Sequence, residues 1–152
     1  MESSDKDIRP ILFVLLGPTG VGKTKVAIKV ARHLGVPVIN ADSRQIFAEI
    51  PIGTAAPTKQ EQSEVKHYFV GSHNLDDYYS AASYEDDVMS LLPQLFADHA
   101  LYGGTRLSIP RALLSGGSMM YIDAVCKGID NIPTVDDDTR TEMKRRLAEE
   151  GL

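Results

Sequence analysis

The 152 residues include only one cysteine, Cys126. That excludes an internal disulfide framework and fits a reducing compartment. No apolar stretch approaches the roughly 20 residues of a membrane-spanning helix, so no membrane partner is expected. Excess positive charge is missing too: 16 Lys and Arg stand against 21 Asp and Glu, a net charge of -5. There is no overall basic footprint for nucleic acid, although a local basic face stays open. Met1 to Arg9 is polar and mixed in charge, unlike a signal peptide, and the expected location is cytoplasmic. His33, His67, His73 and His99 have no partner at metal-ligand spacing and read as surface or core residues. Cys126 lies mid-helix and reads as a small buried hydrophobe. Internal repeats and low-complexity segments are absent. At 43% hydrophobic and 24% charged, the chain reads as one globular domain with a real core.

Against these absences stands one dense motif, Gly17-Pro18-Thr19-Gly20-Val21-Gly22-Lys23-Thr24, which fits G-x-x-x-x-G-K-[ST]. Ile11 to Leu16 before it is a continuous apolar run of strand length, suited to a parallel strand covered on both sides. After it, Val26, Ala27, Val30, Ala31 and Leu34 repeat at helical spacing. Strand, glycine loop and helix occur in the order that phosphate binding needs. Glycines let the backbone wrap an anion and point N–H groups inward, and the helix adds the positive end of its dipole. Lys23 supplies a full charge, and the Thr24 hydroxyl can ligate Mg2+. The motif reports polyphosphate binding and leaves ATP, GTP or another diphosphate open.

Val36 to Asn40 reads as a second strand with Asp42 just past its carboxyl end, the edge where open α/β sheets bind ligands. Asp42 either faces the phosphate loop or caps a short helix over Ser43 to Glu49, and one residue can do both. Ile50 to Thr58 reads as an ordered loop. A helical turn or two over Glu61 to Lys66 and a short strand over His67 to Val70 follow. Ser80 or Ser83 caps the next helix, Tyr84 to Phe96, whose apolar face is Val88, Leu91, Leu92, Leu95 and Phe96. Asp98 to Arg111 reads as a loop with Gly103-Gly104. Ala112 to Leu114 is a short strand leading into the turn Ser115-Gly116-Gly117-Ser118. That turn either aims further N–H groups at the ligand edge or needs glycine for packing alone. The helix Met119 to Lys127 ends at Gly128. A linker, Asn131 to Val135, precedes a charged helix capped by Asp136 or Asp137 and carrying Arg140, a pattern that marks a solvated face. The expected fold is α/β: a P-loop NTPase-like three-layer domain with a mainly parallel sheet, incomplete at its C-terminus. Residues 1–132 would form the core, and 133–152 the start of a helical insertion.

No D-x-x-G or N-K-x-D is present, so a GTPase switch is not expected. Asp42 is the only acidic strand end, and no further apolar run ends in an acid, as the Mg2+-binding strand of a motor ATPase would. A small kinase-like transferase remains. At this point the residues resemble the tRNA dimethylallyltransferases, isopentenyl transferases acting on adenosine. The matching segments are Gly17 to Thr24, Asn40-Ala41-Asp42-Ser43-Arg44-Gln45-Ile46-Phe47, Ile52-Gly53-Thr54-Ala55-Ala56-Pro57, Tyr79-Ser80-Ala81-Ala82, and Gly116-Gly117-Ser118 with Tyr121. The resemblance implies transfer of a dimethylallyl group from dimethylallyl diphosphate to N6 of an adenosine beside the tRNA anticodon. It implies that Gly17 to Thr24 hold the diphosphate, with Lys23 and Thr24 meeting the charge of the leaving group. Asp42 would be the catalytic base, Mg2+ would sit on Thr24 and Asp42, and Asp42, Ser43, Arg44, Gln45, Ser118 and Arg140 would touch the tRNA. Ser115 departs from the apolar residue usual before Gly-Gly-Ser, and Gly20-Val21 replaces the commoner Ala-Ser. The resemblance covers only the N-terminal half of the family, whose other half carries a diphosphate-gripping arginine and most of the tRNA surface. Weak or absent catalysis and self-association through uncovered apolar surface are therefore expected. Alternatives are an adenylate isopentenyltransferase, a nucleotide or small-molecule kinase, and a non-catalytic polyphosphate-binding module.

Overall fold

The computed structural model describes residues 9–99, 109–130 and 135–151. The amino-terminal segment before Arg9, most of the Gly103-Gly104 loop, the linker residues 131–134 with the expected domain boundary, and the side chain of His99 lie outside the described residues.

The elements are β1 (Ile11–Leu16), α1 (Lys23–Leu34), β2 (Val38–Ala41), α2 (Lys59–Glu64), β3 (His67–Tyr68), α3 (Ala81–His99), β4 (Arg111–Gly116), α4 (Met119–Lys127) and α5 (Asp137–Glu150). The four strands are parallel, in the order β1-β4-β2-β3. Residue alternation assigns the two faces. Val38 and Leu113 join Ala27, Ala31, Leu34 and Val36 under α1. Ile39, Ala41, Ala112 and Leu114 join Tyr84, Val88, Leu92 and Leu95 of α3 and Tyr121 and Ile122 of α4 on the other. The result is the expected three layers.

Tyr84 anchors the second face. It is fully buried, stacks on Tyr121 at 4.3 Å between ring centres, and donates its hydroxyl to the Asn40 carbonyl at 2.9 Å. Burial pushes its phenol pKa up, so the hydroxyl stays a donor.

Several elements depart from expectation. β1 is not covered on both sides. Among the described residues it is the end strand, pairs only with β4, and leaves Ile11, Phe13, Val14 and Leu16 exposed. β4 runs on through Ser115 and Gly116 because both pair with Asn40 and Ala41 of β2. No helix spans Ser43 to Glu49. That stretch is a series of turns, because Asp42 Oδ1 accepts from the Arg44 and Gln45 N–H groups and closes a tight turn instead. α2 starts two residues early on a capping box in which Thr58 and Glu61 bond each other reciprocally. α3 begins just after Ser80, whose hydroxyl accepts from the Ser83 N–H at 3.1 Å. Cys126 is exposed, in the last turn of α4, and is not the buried hydrophobe expected. Among the described residues no helix is long and apolar enough to cross a membrane.

Candidate active site

The carboxyl ends of β1, β2 and β4 deliver three loops to one place. Thr19, Gly20, Gly22, Lys23 and Thr24 line a cavity of about 240 Å³ with Asn40, Asp42, Gln45, Ala55, Pro57, His67, Ser115 and Gly116. A second concavity alongside brings together Pro18, Thr19, Asp42, Ser43, Arg44, Gly117 and Ser118. Of the residues expected to matter, Gly17, Val21 and Arg140 line neither concavity, and Arg140 sits on α5. Val21 is 61% exposed at the rim, and Gly17 closes the loop against Gly117.

Backbone conformation shapes the loop. Gly20 and Gly22 have φ of 87° and 84°, values that side-chain-bearing residues rarely adopt. Gly22 immediately precedes α1, so the first N–H groups of that helix open toward the cavity. Lys23 Nζ donates to the Pro18 carbonyl at 3.0 Å, folding the ammonium back across the loop it would use to hold a phosphate.

Asp42 is fixed by its own chain. Its Oδ1 takes the Arg44 N–H at 3.0 Å and the Gln45 N–H at 3.4 Å, which holds the carboxylate at the lip of β2. Ser43 is tied across the fold: its N–H donates to Ser118 Oγ at 2.8 Å, and Ser118 Oγ donates to Ser43 Oγ at 3.0 Å. The glycine turn after β4 therefore does less anion work than one of its two readings held. The Ser118 N–H is spent on the Ala41 carbonyl at 3.1 Å. Gly116 is required by packing, because a β-carbon there would collide with the Ala41 backbone. Gln45 is also engaged: its Nε2 donates to the carbonyls of Thr54 and Ala55 at 3.1 and 3.3 Å, pinning the 50–57 loop against the cavity.

His67 was not singled out by spacing, yet it lines the cavity. Its Nδ1 bonds the Val65 carbonyl at 2.8 Å, and its Nε2 is buried with no partner among the described residues. Burial lowers its pKa, opposed in part by the Val65 bond and by Glu61, so the ring is neutral at pH 7. The Nδ1–H tautomer follows, leaving Nε2 as an acceptor for a ligand proton or a water. Its signal was positional, at the start of a strand parallel to β2, and depended on the pairing of Val38 with His67.

An IPP transferase family model matches residues 45–152. The chain is 52% identical over 141 residues to "tRNA dimethylallyltransferase 1" of Phocaeicola vulgatus, covering 93% of this chain and 44% of that protein. It is 55% identical over 141 residues to the protein of the same name from Porphyromonas gingivalis, with the same coverage. The crystal structure of the full-length tRNA isopentenylpyrophosphate transferase from Bacillus halodurans superposes with a TM-score of 0.71 at 27% identity, over 93% of this chain and 44% of that one. The chain thus spans less than half the length of the relatives it matches. With the family model covering most of its residues, the chain belongs to the IPP transferase family.

Proposed function

We propose that these residues are the donor-binding and base-bearing part of a tRNA dimethylallyltransferase. The observation that carries the reading is that Lys23 and Thr24, at the start of α1, and Asp42, just past β2, line one cavity. In the proposed reaction the lone pair of an adenine N6 forms a bond to C1 of the dimethylallyl group. The C1–O bond breaks, its electrons leave with the diphosphate, and the N6 proton passes to the Asp42 carboxylate. That amine is a weak nucleophile because its lone pair is delocalised into the ring. A positioned proton acceptor contributes about 10²–10⁴-fold. Charge growing on the leaving oxygens meets the loop N–H groups, the α1 N-terminus and Lys23, once the ammonium leaves the Pro18 carbonyl.

Thr24 and Asp42 offer hard oxygen donors on the same cavity, and among the described residues no three His, Cys, Asp or Glu side chains converge into a protein cage. That donor set suits Mg2+, which keeps several waters and takes phosphate oxygens. Mg2+ held there would neutralise charge on the leaving diphosphate.

The target adenosine has to leave its stack to reach Asp42. Ser43, Arg44 and Ser118 border the concavity beside it and are the proposed RNA contacts there, with Gln45 acting through the loop it pins and Arg140 contributing from α5. Residues 1–132 would be the catalytic core and 133–152 the start of a tRNA-facing helical part. The reading places the protein in the cytoplasm with its tRNA. The 152 residues alone are expected to bind the donor and to transfer weakly or not at all.

Calorimetry in Mg2+ tests this, with dimethylallyl thiodiphosphate and a non-hydrolysable ATP analogue titrated separately. Preference for the prenyl compound is expected. Preference for the ATP analogue, followed by phosphoryl transfer to a nucleoside monophosphate, would replace the reading with a kinase.

A further inference from the structure

Tyr78 and Arg140 meet away from the cavity. The guanidinium carbon of Arg140 lies 5.2 Å from the centre of the Tyr78 ring, and its Nη2 donates to the Tyr78 hydroxyl at 3.3 Å. Arg140 Nε donates to the Val135 carbonyl at 3.3 Å, which steadies the guanidinium from behind.

Three observations set this pair apart from a routine surface contact. Tyr78 is 74% exposed, so the ring keeps a large open surface after Arg140 is seated on it. Other arginines of α5 are neutralised on their own helix: Arg145 bonds Glu142 and Glu149, and Arg146 bonds Glu150. Arg140 hydrogen-bonds a neutral hydroxyl and a neutral carbonyl instead and has no ion pair at salt-bridge distance among the described residues, with Asp137 acting on it only at longer range, so its guanidinium stays available to an anion. The third observation is position. Tyr79, the next residue, turns inward, with its ring 4.1 Å from His73 and 6.4 Å from Tyr121. Tyr121 follows Ser118 by one helical turn and donates its N–H to the Ser118 carbonyl at 3.0 Å. Ser118 in turn bonds Ser43 beside Asp42. A short chain of contacts therefore connects the pair to the carboxylate.

We propose that Tyr78 and Arg140 form a subsite for one unpaired nucleotide flanking the adenosine presented to Asp42. The base stacks on the open face of Tyr78, and the guanidinium takes the neighbouring phosphate. Single-stranded RNA is read in this way, with unstacked bases laid on aromatic rings and arginine planes. A base-paired helix offers no free base face and gains nothing from Tyr78. The inference rests on the RNA reading above; its new element is Tyr78.

The test is fluorescence anisotropy of the 152-residue chain with a labelled RNA stem-loop carrying unpaired loop adenosines, and with a fully paired duplex of equal length. Wild type is expected to prefer the stem-loop. Tyr78→Ala weakens stem-loop binding by roughly ten-fold or more and leaves the duplex unchanged, whereas Tyr78→Phe stays near wild type. Arg140→Ala weakens binding and flattens the dependence of log K on log salt by about 0.7, the loss of one single-strand phosphate contact. Tyr78→Ala leaves that slope intact. Equal stem-loop binding by wild type and Tyr78→Ala overturns the subsite while leaving the RNA reading in place. So does an equal loss on stem-loop and duplex, which would make Tyr78 a mere anchor for α5. Failure of wild type to bind either RNA overturns both.

Discussion

On the proposed function, Lys23 would meet its ligand only by giving up a bond it already has. Its ammonium rests on the Pro18 carbonyl, and an incoming diphosphate would replace one neutral acceptor with several charged ones. Lys23→Ala should therefore weaken prenyl thiodiphosphate binding by about ten-fold or more, the scale of a hydrogen bond to a charged group. Calorimetry with Mg2+ reads this directly. His67 makes a different prediction, in pH. Burial lowers its folded pKa below the ordinary 6.5. The unfolded chain then binds more protons as pH falls, so the stability His67 carries is complete above pH 6.5 and is lost as pH drops from there through the folded pKa. The melting temperature of wild type relative to His67→Gln should accordingly fall between pH 7.5 and pH 5. A pH-independent difference would mean the ring is not desolvated. Gly116 is the third test at this scale. Any β-carbon there meets the Ala41 backbone, which has no rotamer to escape into. Gly116→Ala should cost about 1–3 kcal/mol, as overpacking does, and thermal melting would show a loss of several degrees.

At the scale of elements, the site depends on how α3 and α4 grip the end of β2. The Tyr84 hydroxyl holds the Asn40 carbonyl, two residues before Asp42, while its ring fills the space between α3 and Tyr121. Tyr84→Phe removes only the bond and should cost about 1 kcal/mol, whereas Tyr84→Ala also opens a cavity and should cost about 3–5 kcal/mol. Denaturant titration separates the two; equal losses would mean that the ring contributes no packing. The elements themselves were readable to different degrees. The phosphate loop and its flanking strand and helix were plain, because glycine spacing and helical periodicity are local. α3 was legible across Pro93 because its apolar face continues on both sides of that residue. The run after Asp42 misled: Ser43 to Glu49 has helical composition, but the Asp42 side chain takes the Arg44 and Gln45 N–H groups into a turn. Thr58 and Glu61 carried a capping-box signal that composition alone obscured.

At the scale of the molecule, the sheet ends abruptly. β1 leads into the glycine loop, yet among the described residues it has a neighbour on one side only and exposes Phe13, Val14 and Leu16. A parallel strand is ordinarily buried on both faces, and an apolar open edge invites pairing. Sedimentation at micromolar concentration should therefore show concentration-dependent association, reduced by Val14→Lys. A monodisperse wild-type monomer would count against it.

What the sequence determined by itself is local: the glycine loop between a strand and a helix, the acid just past β2, the helices with one apolar face, and the family they resemble. Each depends on residues close together in the chain or on periodicity along it. Tertiary structure alone decided which distant residues share the cavity. His67 reaches it because β3 pairs with β2 in parallel register, and Ser118 meets Ser43 because β4 lies between β1 and β2. It also decided that β1, apolar throughout, stands at an edge. An apolar run records only that a strand needs cover, whereas its place in the sheet depends on which other strands are present to flank it.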